Sequence, residues 1–171
     1  IRHGGLSTTG TELRGKTLGI VGMGAIGKEV KALSEAFGMT PLPYDVGSAM
    51  TLEEVFERSD YVTIHVPLLP ATRGMVNAEL LARMKPTAYL VNCARGPIVD
   101  SVALAAALSA GALAGAALDV FDVEPPLPTD DPLLALPNVI GTPHIGFNTQ
   151  EALVTKGTDA LDAIKEFIAS A

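Results

Sequence analysis

The sequence predicts an α/β fold, a doubly wound parallel sheet in three layers, and three observations carry that prediction. Strand-like and helix-like segments alternate along the 171 residues, the order expected of a parallel sheet with helices on both faces. Gly22, Gly24 and Gly27 fall in the turn between the first strand and the first helix, where a phosphate-binding turn would sit. The polar residues capable of chemistry follow the C-terminal ends of later strands, the edge at which open parallel sheets bind ligands.

Each element has its own signal. An apolar strand, Thr17 to Val21, runs through Gly22-Met23-Gly24-Ala25-Ile26-Gly27 into an amphipathic helix ending at Phe37. The first glycine permits a tight turn, the second lets backbone approach a pyrophosphate, and the third lets the helix pack on the strand. The helix N-terminus then offers unpaired N–H groups to an anion. Ile26, Val30, Leu33 and Phe37 share one helical face, and Gly38 is placed to cap the C-terminus. Leu42-Pro43-Tyr44-Asp45 reads as a second strand ending in a carboxylate 18 residues beyond Gly27. A carboxylate there can accept hydrogen bonds from a ribose diol and would repel a 2′-phosphate, so the expected cofactor is NAD rather than NADP.

Thr51-Leu52-Glu53-Glu54 has capping-box spacing and opens a short helix to Arg58, followed by a strand from Tyr61 to Val66. Pro67 and Pro70 mark the next loop, and Asn77 is placed to cap a helix running to Met84. Ala88 to Asn92 reads as a buried strand, Ser101 to Ala110 as an alanine-rich helix closed by Gly111, and Ala116 to Val120 as the next strand. A proline-rich loop, Phe121 to Pro137, leads to a strand from Val139 to Thr142, and a helix begins at about Thr149.

The composition agrees with one compact domain. At 48% hydrophobic residues the chain can bury a substantial core. A net charge of −7 argues against nucleic acid or an anionic membrane as partner. One cysteine excludes an internal disulfide and fits a reducing, cytoplasmic setting. No apolar run approaches a membrane span, no secretory signal is visible, and no metal-ligating cluster stands out.

Asn92-Cys93-Ala94-Arg95 follows one strand, Asp119 and Glu124 the next, and Thr142-Pro143-His144 the last. Each residue alone has an ordinary explanation as a surface cation, a solvated acid or a turn histidine. Above a dinucleotide site they form a set suited to hydride transfer with a 2-oxo acid. An arginine fork holds a carboxylate bidentately, histidine transfers a proton near neutral pH, and a carboxylate beside the histidine orients it. Arg95, His144 and Glu124 are the candidates for those three tasks.

The strings Gly10-Thr11-Glu12-Leu13-Arg14-Gly15-Lys16, His65-Val66-Pro67-Leu68, Val91-Asn92-Cys93-Ala94-Arg95-Gly96, Gly115-Ala116-Ala117-Leu118-Asp119-Val120-Phe121, Glu124-Pro125 and Thr142-Pro143-His144 resemble the D-isomer-specific 2-hydroxyacid dehydrogenases. Within them the chain looks most like the D-3-phosphoglycerate dehydrogenase group, although hydroxypyruvate and glyoxylate reductases share the same strings. The resemblance implies a Rossmann-type cofactor domain with Arg95, Glu124 and His144 catalytic and a small 2-hydroxy or 2-oxo acid as substrate. It places Asp119 at the nicotinamide carboxamide and the backbone of Asn92, Cys93 and Ala94 along NAD. His65, Thr72 and Gly146 also match positions near the cofactor. Cys93 is read as a small buried hydrophobe rather than a nucleophile.

Two departures stand out. The family carries a second, substrate-binding domain built from segments on either side of the cofactor domain, and both are missing here. Ile1-Arg2-His3-Gly4-Gly5 reads like mid-protein sequence. The chain therefore reads as a single cofactor domain, residues 1–171, expected to bind NAD and turn over poorly. In addition, five residues separate Asp45 from Thr51, where the family places a helix and an edge strand. Either that unit is deleted or residues are missing, and the wall around the adenine is thinner for it. Two further readings stay open: a nicotinamide-responsive interaction module of the corepressor type, and a homodimerisation role, with Val102 to Ala117 as the apolar contact.

Overall fold

The computed structural model describes residues 10–123 and 131–170. Within them β1 (Thr17–Val21), β2 (Thr40–Tyr44), β3 (Tyr61–Ile64), β4 (Tyr89–Asn92), β5 (Gly115–Leu118) and β6 (Val139–Gly141) form one sheet. The order is β2-β1-β3-β4-β5-β6, and every neighbouring pair is parallel. The order reverses between β1 and β3, so a crevice opens there above the C-terminal strand ends.

Right-handed crossovers put α1 (Ala25–Ala36) on one face of the sheet and α2 (Leu52–Arg58), α3 (Ala78–Leu81) and α4 (Ser101–Ser109) on the other. On that second face α3 packs against both α2 and α4. Beneath them Val62, Leu90 and Ala116 stand side by side in register and are buried with Phe56, Leu81, Leu104 and Leu113. The helix starts follow from capping chemistry. Thr51 Oγ1 accepts from Glu54 N while the Glu54 carboxylate accepts from Thr51 N, and Asn77 and Asp100 side chains accept from the third residue beyond each. Gly38 closes α1 at φ +75°, a conformation open to glycine.

Several expectations need correction. The apolar face of α1 is not its packed face: Ile26, Leu33 and Phe37 are 67%, 58% and 60% exposed, and the helix buries Gly27 and Ser34 instead. Small side chains win there because the helix lies too close to the sheet for larger ones. A Cβ on Gly27 would fall 2.0 Å from the Gly22 carbonyl oxygen. The helix expected to reach Met84 ends at Leu81, where the bonds shorten to i→i+3, Arg83 N to Leu80 O and Met84 N to Leu81 O. β3 and β5 end two residues early, leaving His65, Val66, Asp119 and Val120 in the loops. Of the stretch from Val102 to Ala117, Leu104, Leu108, Leu113 and Ala116 are core residues, while Val102 is exposed.

The short interval after Asp45 holds a turn and nothing more. Ser48 N donates to Asp45 O, the Ser48 hydroxyl accepts from Asp45 N, and α2 alone makes the crossing to β3. Among the described residues β2 is consequently an edge strand. Thr40 N and Tyr44 O bond inward to Lys16 and Gly22, so the alternate residues Pro41 and Pro43 face outward. At the other end of the chain α5 (Gln150–Ser170) buries none of its side chains. Among the described residues no helix is long and apolar enough to cross a membrane. Ile1-Arg2-His3-Gly4-Gly5 and Glu124 lie outside the described residues.

Candidate functional site

The glycine turn is built as its spacing requires. Gly22 sits at φ +100°, and a Cβ there would lie 2.7 Å from the backbone of His65, so β1 and β3 approach closely only because it is glycine. Gly27 is closed in by Gly22, as above. Gly24 differs, since a Cβ on it would meet nothing within 4 Å. It is the N-cap of α1 and makes no side-chain cap bond, and Ala25 and Ile26 begin the helix beside it, exposed. An open backbone surface at a helix N-terminus suits a pyrophosphate, so the residues present fit a bound dinucleotide.

Asp45 ends β2 next to this turn. Its Oδ2 accepts from Met23 N and its Oδ1 from Val46 N, each at 2.8 Å. The bond from Met23 and then that from Val46 hold the carboxyl below its ordinary value, so it is an anion at neutral pH. The carboxylate thus braces the glycine turn from the position expected of a ribose acceptor.

The crevice proper is open, with a volume of about 560 Å³, and Ile26, His65, Cys93, Arg95, Asp119 and His144 line it together with Gly146, Phe147 and Lys156. It continues past Val66, Pro67, Leu68 and Ala94 along the β3 and β4 ends. Arg95 and His144, 49 residues apart in sequence, therefore face one space. Asn92, fully buried, shapes the turn that delivers Arg95: its Nδ2 donates to Arg95 O and its Oδ1 accepts from Ala94 N, both at 3.0 Å. Gly96 then lets this turn touch the β5 loop, because a Cβ would lie 2.1 Å from Phe121 backbone atoms.

Asp119 organises the histidine loop. Its Oδ1 accepts from Thr142 Oγ1 at 2.5 Å and Ile145 N at 2.9 Å, and its Oδ2 accepts from Gly146 N at 2.9 Å. The backbone N–H of His144 donates to Asp119 O. Burial pushes the Asp119 carboxyl up, but the bonds from Thr142, Ile145 and Gly146 and the nearby His144 outweigh it and hold the group below its ordinary value. His144 itself has φ +54°, the one described non-glycine residue in the left-handed region.

The remaining candidates fall as follows. His65 lines the crevice with its Nε2 3.0 Å from Thr63 Oγ1, and burial pushes its imidazole below the ordinary value, towards the neutral form. Thr72 stands apart from the crevice-lining residues. It closes its own loop, donating to Pro67 O at 2.6 Å and accepting from Leu69 N. Cys93 is not buried, contrary to expectation, because the Asn92 side chain occupies the core side of the turn and leaves the thiol facing the crevice. Partial burial and then the Asp119 carboxylate push that thiol up, so it stays protonated and is a poor nucleophile. Sequence reasoning misses the hydroxyl of Thr142, Phe147 and Lys156, whose only signal is nearness to His144 along the chain. Among the described residues no cluster of His, Cys, Asp or Glu could hold a metal ion.

Comparison with known proteins places this geometry. The family described as D-isomer specific 2-hydroxyacid dehydrogenase, NAD binding domain, matches residues 2–146. A D-3-phosphoglycerate dehydrogenase of Methanocaldococcus jannaschii is 46% identical over 93% of this chain, and the chain spans about a third of its length, 32%. Among solved structures, a D-lactate dehydrogenase from Aquifex aeolicus complexed with NAD and lactic acid superposes with a TM-score of 0.87 at 33% identity, over 99% of this chain and 58% of that one. An acyclic imino acid reductase in complex with NADPH and D-Arg gives a TM-score of 0.90 at 28% identity, over 99% and 56%.

Proposed function

The chain belongs to the D-isomer specific 2-hydroxyacid dehydrogenase family as its NAD-binding domain, and from this premise we propose that its crevice carries hydride exchange between nicotinamide and a D-2-hydroxy or 2-oxo acid. The observation that carries the reading is that Arg95 and His144 line one crevice beside the glycine turn. Bound NAD supplies the hydride acceptor, and NADH the donor. The chain's residues do the rest. The backbone about Gly24 receives the pyrophosphate and Asp45 accepts from the ribose. Arg95 pairs with the substrate carboxylate and polarises its neighbour. His144 gives the proton to the carbonyl oxygen as the carbon beneath it takes the hydride, or takes it from the hydroxyl as that carbon gives the hydride up, with Glu124 as its supporting acid. Asp119, Gly146 and the turn from Asn92 to Ala94 line the nicotinamide, His65 stands near the cofactor, and Thr72 acts only through the loop it closes onto Pro67.

For the substrate we propose a 3-phosphoglycerate-like or hydroxypyruvate-like acid, supported by the 46% identity to a D-3-phosphoglycerate dehydrogenase. Residues 1–171 act as one cofactor domain, and turnover needs a substrate domain to close over the crevice. A homodimer through this domain fits the exposed apolar side chains of α4 and α5, among them Val102, Leu161 and Phe167. A cytoplasmic setting fits the single, protonated thiol.

The test is a fluorescence titration with NADH and NADPH, made simpler by the absence of tryptophan. NADH is expected to bind in preference to NADPH, and Asp45→Ala to weaken NADH about tenfold through the lost charge-assisted bonds. Failure to bind either nucleotide would falsify the proposal.

A further inference from the structure

We propose that Phe147 is a positioning residue for His144 and that Lys156, reaching from α5, holds Phe147 in that role. This rests on the functional reading above, which gives His144 the proton-transfer task. The Asp119 bonds to Thr142, Ile145 and Gly146 fix the backbone on both sides of His144. Backbone bonds alone do not choose an imidazole rotamer, to which the packing of the ring also contributes.

The imidazole packs against Phe147, with ring centroids 5.6 Å apart and planes at 86°, an edge-to-face arrangement. Phe147 is itself 50% exposed and needs a partner to hold it. Lys156 Nζ lies 5.6 Å from the centroid of that ring, within cation–π range. All three side chains line the crevice. Since α5 buries no side chain, the Lys156 contact ties this helix to the proton-transfer group, and the orientation of His144 follows the placement of α5.

The experiment uses the NADH-saturated chain with 13C-labelled histidine, at one pH held the same for every variant. The sequence holds three histidines, His3, His65 and His144, so each ring gives its own signals. The ratio of packed to unpacked His144 and Phe147 rings, read from the nuclear Overhauser effect between them, is expected to fall about two- to fivefold in Lys156→Met, matching the loss of one cation–π contact. Lys156→Arg is expected to restore it, and the signals of His65 to stay in place in both variants. Because Lys156 acts through Phe147, adding Lys156→Met to Phe147→Leu is expected to leave the His144 signals of the single variant unchanged. An undisturbed effect in Lys156→Met, or a further change in the double variant, overturns the proposal. If the native chain does not saturate with NADH, the functional reading fails and the role with it, while the ring signals of the same samples still decide the contact itself.

Discussion

Asp119 Oδ1 and Thr142 Oγ1 lie 2.5 Å apart, which pins the end of β5 to the end of β6 beneath His144. With Ile145 N and Gly146 N on the same carboxylate, one side chain satisfies three donors of a loop that has no regular structure. His144 is thus held by a neighbouring strand end rather than by its own.

This arrangement makes stability depend on pH in a defined direction. The folded chain holds Asp119 below its ordinary value of 3.8, so the unfolded chain binds the proton first as pH falls. The contribution is full above that ordinary value and is lost as pH drops through the lower folded one. Asp119→Asn is expected to cost about 1–3 kcal/mol at pH 7, with the gap to the native chain narrowing towards pH 3. Thermal unfolding at the two pH values checks it, and a gap that widens in acid would contradict it.

The glycine turn separates folding from binding. Gly24→Ala meets open space and is expected to cost less than about 1 kcal/mol, the scale of an N-cap change, while weakening NADH by filling the cradle. Gly27→Ala drives a Cβ to 2.0 Å from the Gly22 carbonyl oxygen and is expected to cost about 3 kcal/mol or more. Denaturant unfolding alongside NADH titration of both variants distinguishes these effects. Equal loss of stability in the two would show that Gly24 is also a packing glycine.

His144 stores backbone strain at φ +54°. His144→Gly relieves it, and His144→Ala does not, so the glycine variant is expected to be the more stable of the two by about 1 kcal/mol. Both are expected to lose turnover in a catalytically complete enzyme with NADH affinity nearly unchanged. Matched melting curves and one NADH isotherm for each variant supply the check.

Gly96 is a test of the Arg95 turn. A Cβ would lie 2.1 Å from Phe121 backbone atoms, which cannot yield as a flexible side chain would. Gly96→Ala is expected to cost about 3 kcal/mol or more and to shift Arg95 with the turn. Normal stability and an unmoved Arg95 in a structure of the variant would refute the close approach.

The succession of strands and helices along the chain, the capped helix starts at Thr51 and Asn77 and the three glycine positions were legible in the sequence because each rests on local chemistry. The convergence of Arg95 and His144 was legible from topology, since both follow strand C-termini in one parallel sheet. The packed side of α1 was not, because periodicity finds the apolar face of Ile26, Leu33 and Phe37 without saying whether the sheet lies against it. A helix seated through Gly27 and Ser34 inverts the usual rule, since close approach favours small groups over greasy ones. Cys93 was misplaced for a related reason: in the strand-end turn the buried position went to Asn92, whose amide and carbonyl are both satisfied there. Lys156 and Phe147 meet through space across a loop and a helix start, a relation that no residue spacing announces.

The outer rim of β2 is chemically one-sided. Pro41 and Pro43 face away from β1, so across that stretch the rim presents carbonyl oxygens and no amide hydrogens. A strand arriving from another molecule can complete only half of a ladder there. With no further strand beyond it among the described residues, β2 leaves the sheet open at one side, yet the prolines keep that opening from serving as a template for fibre growth.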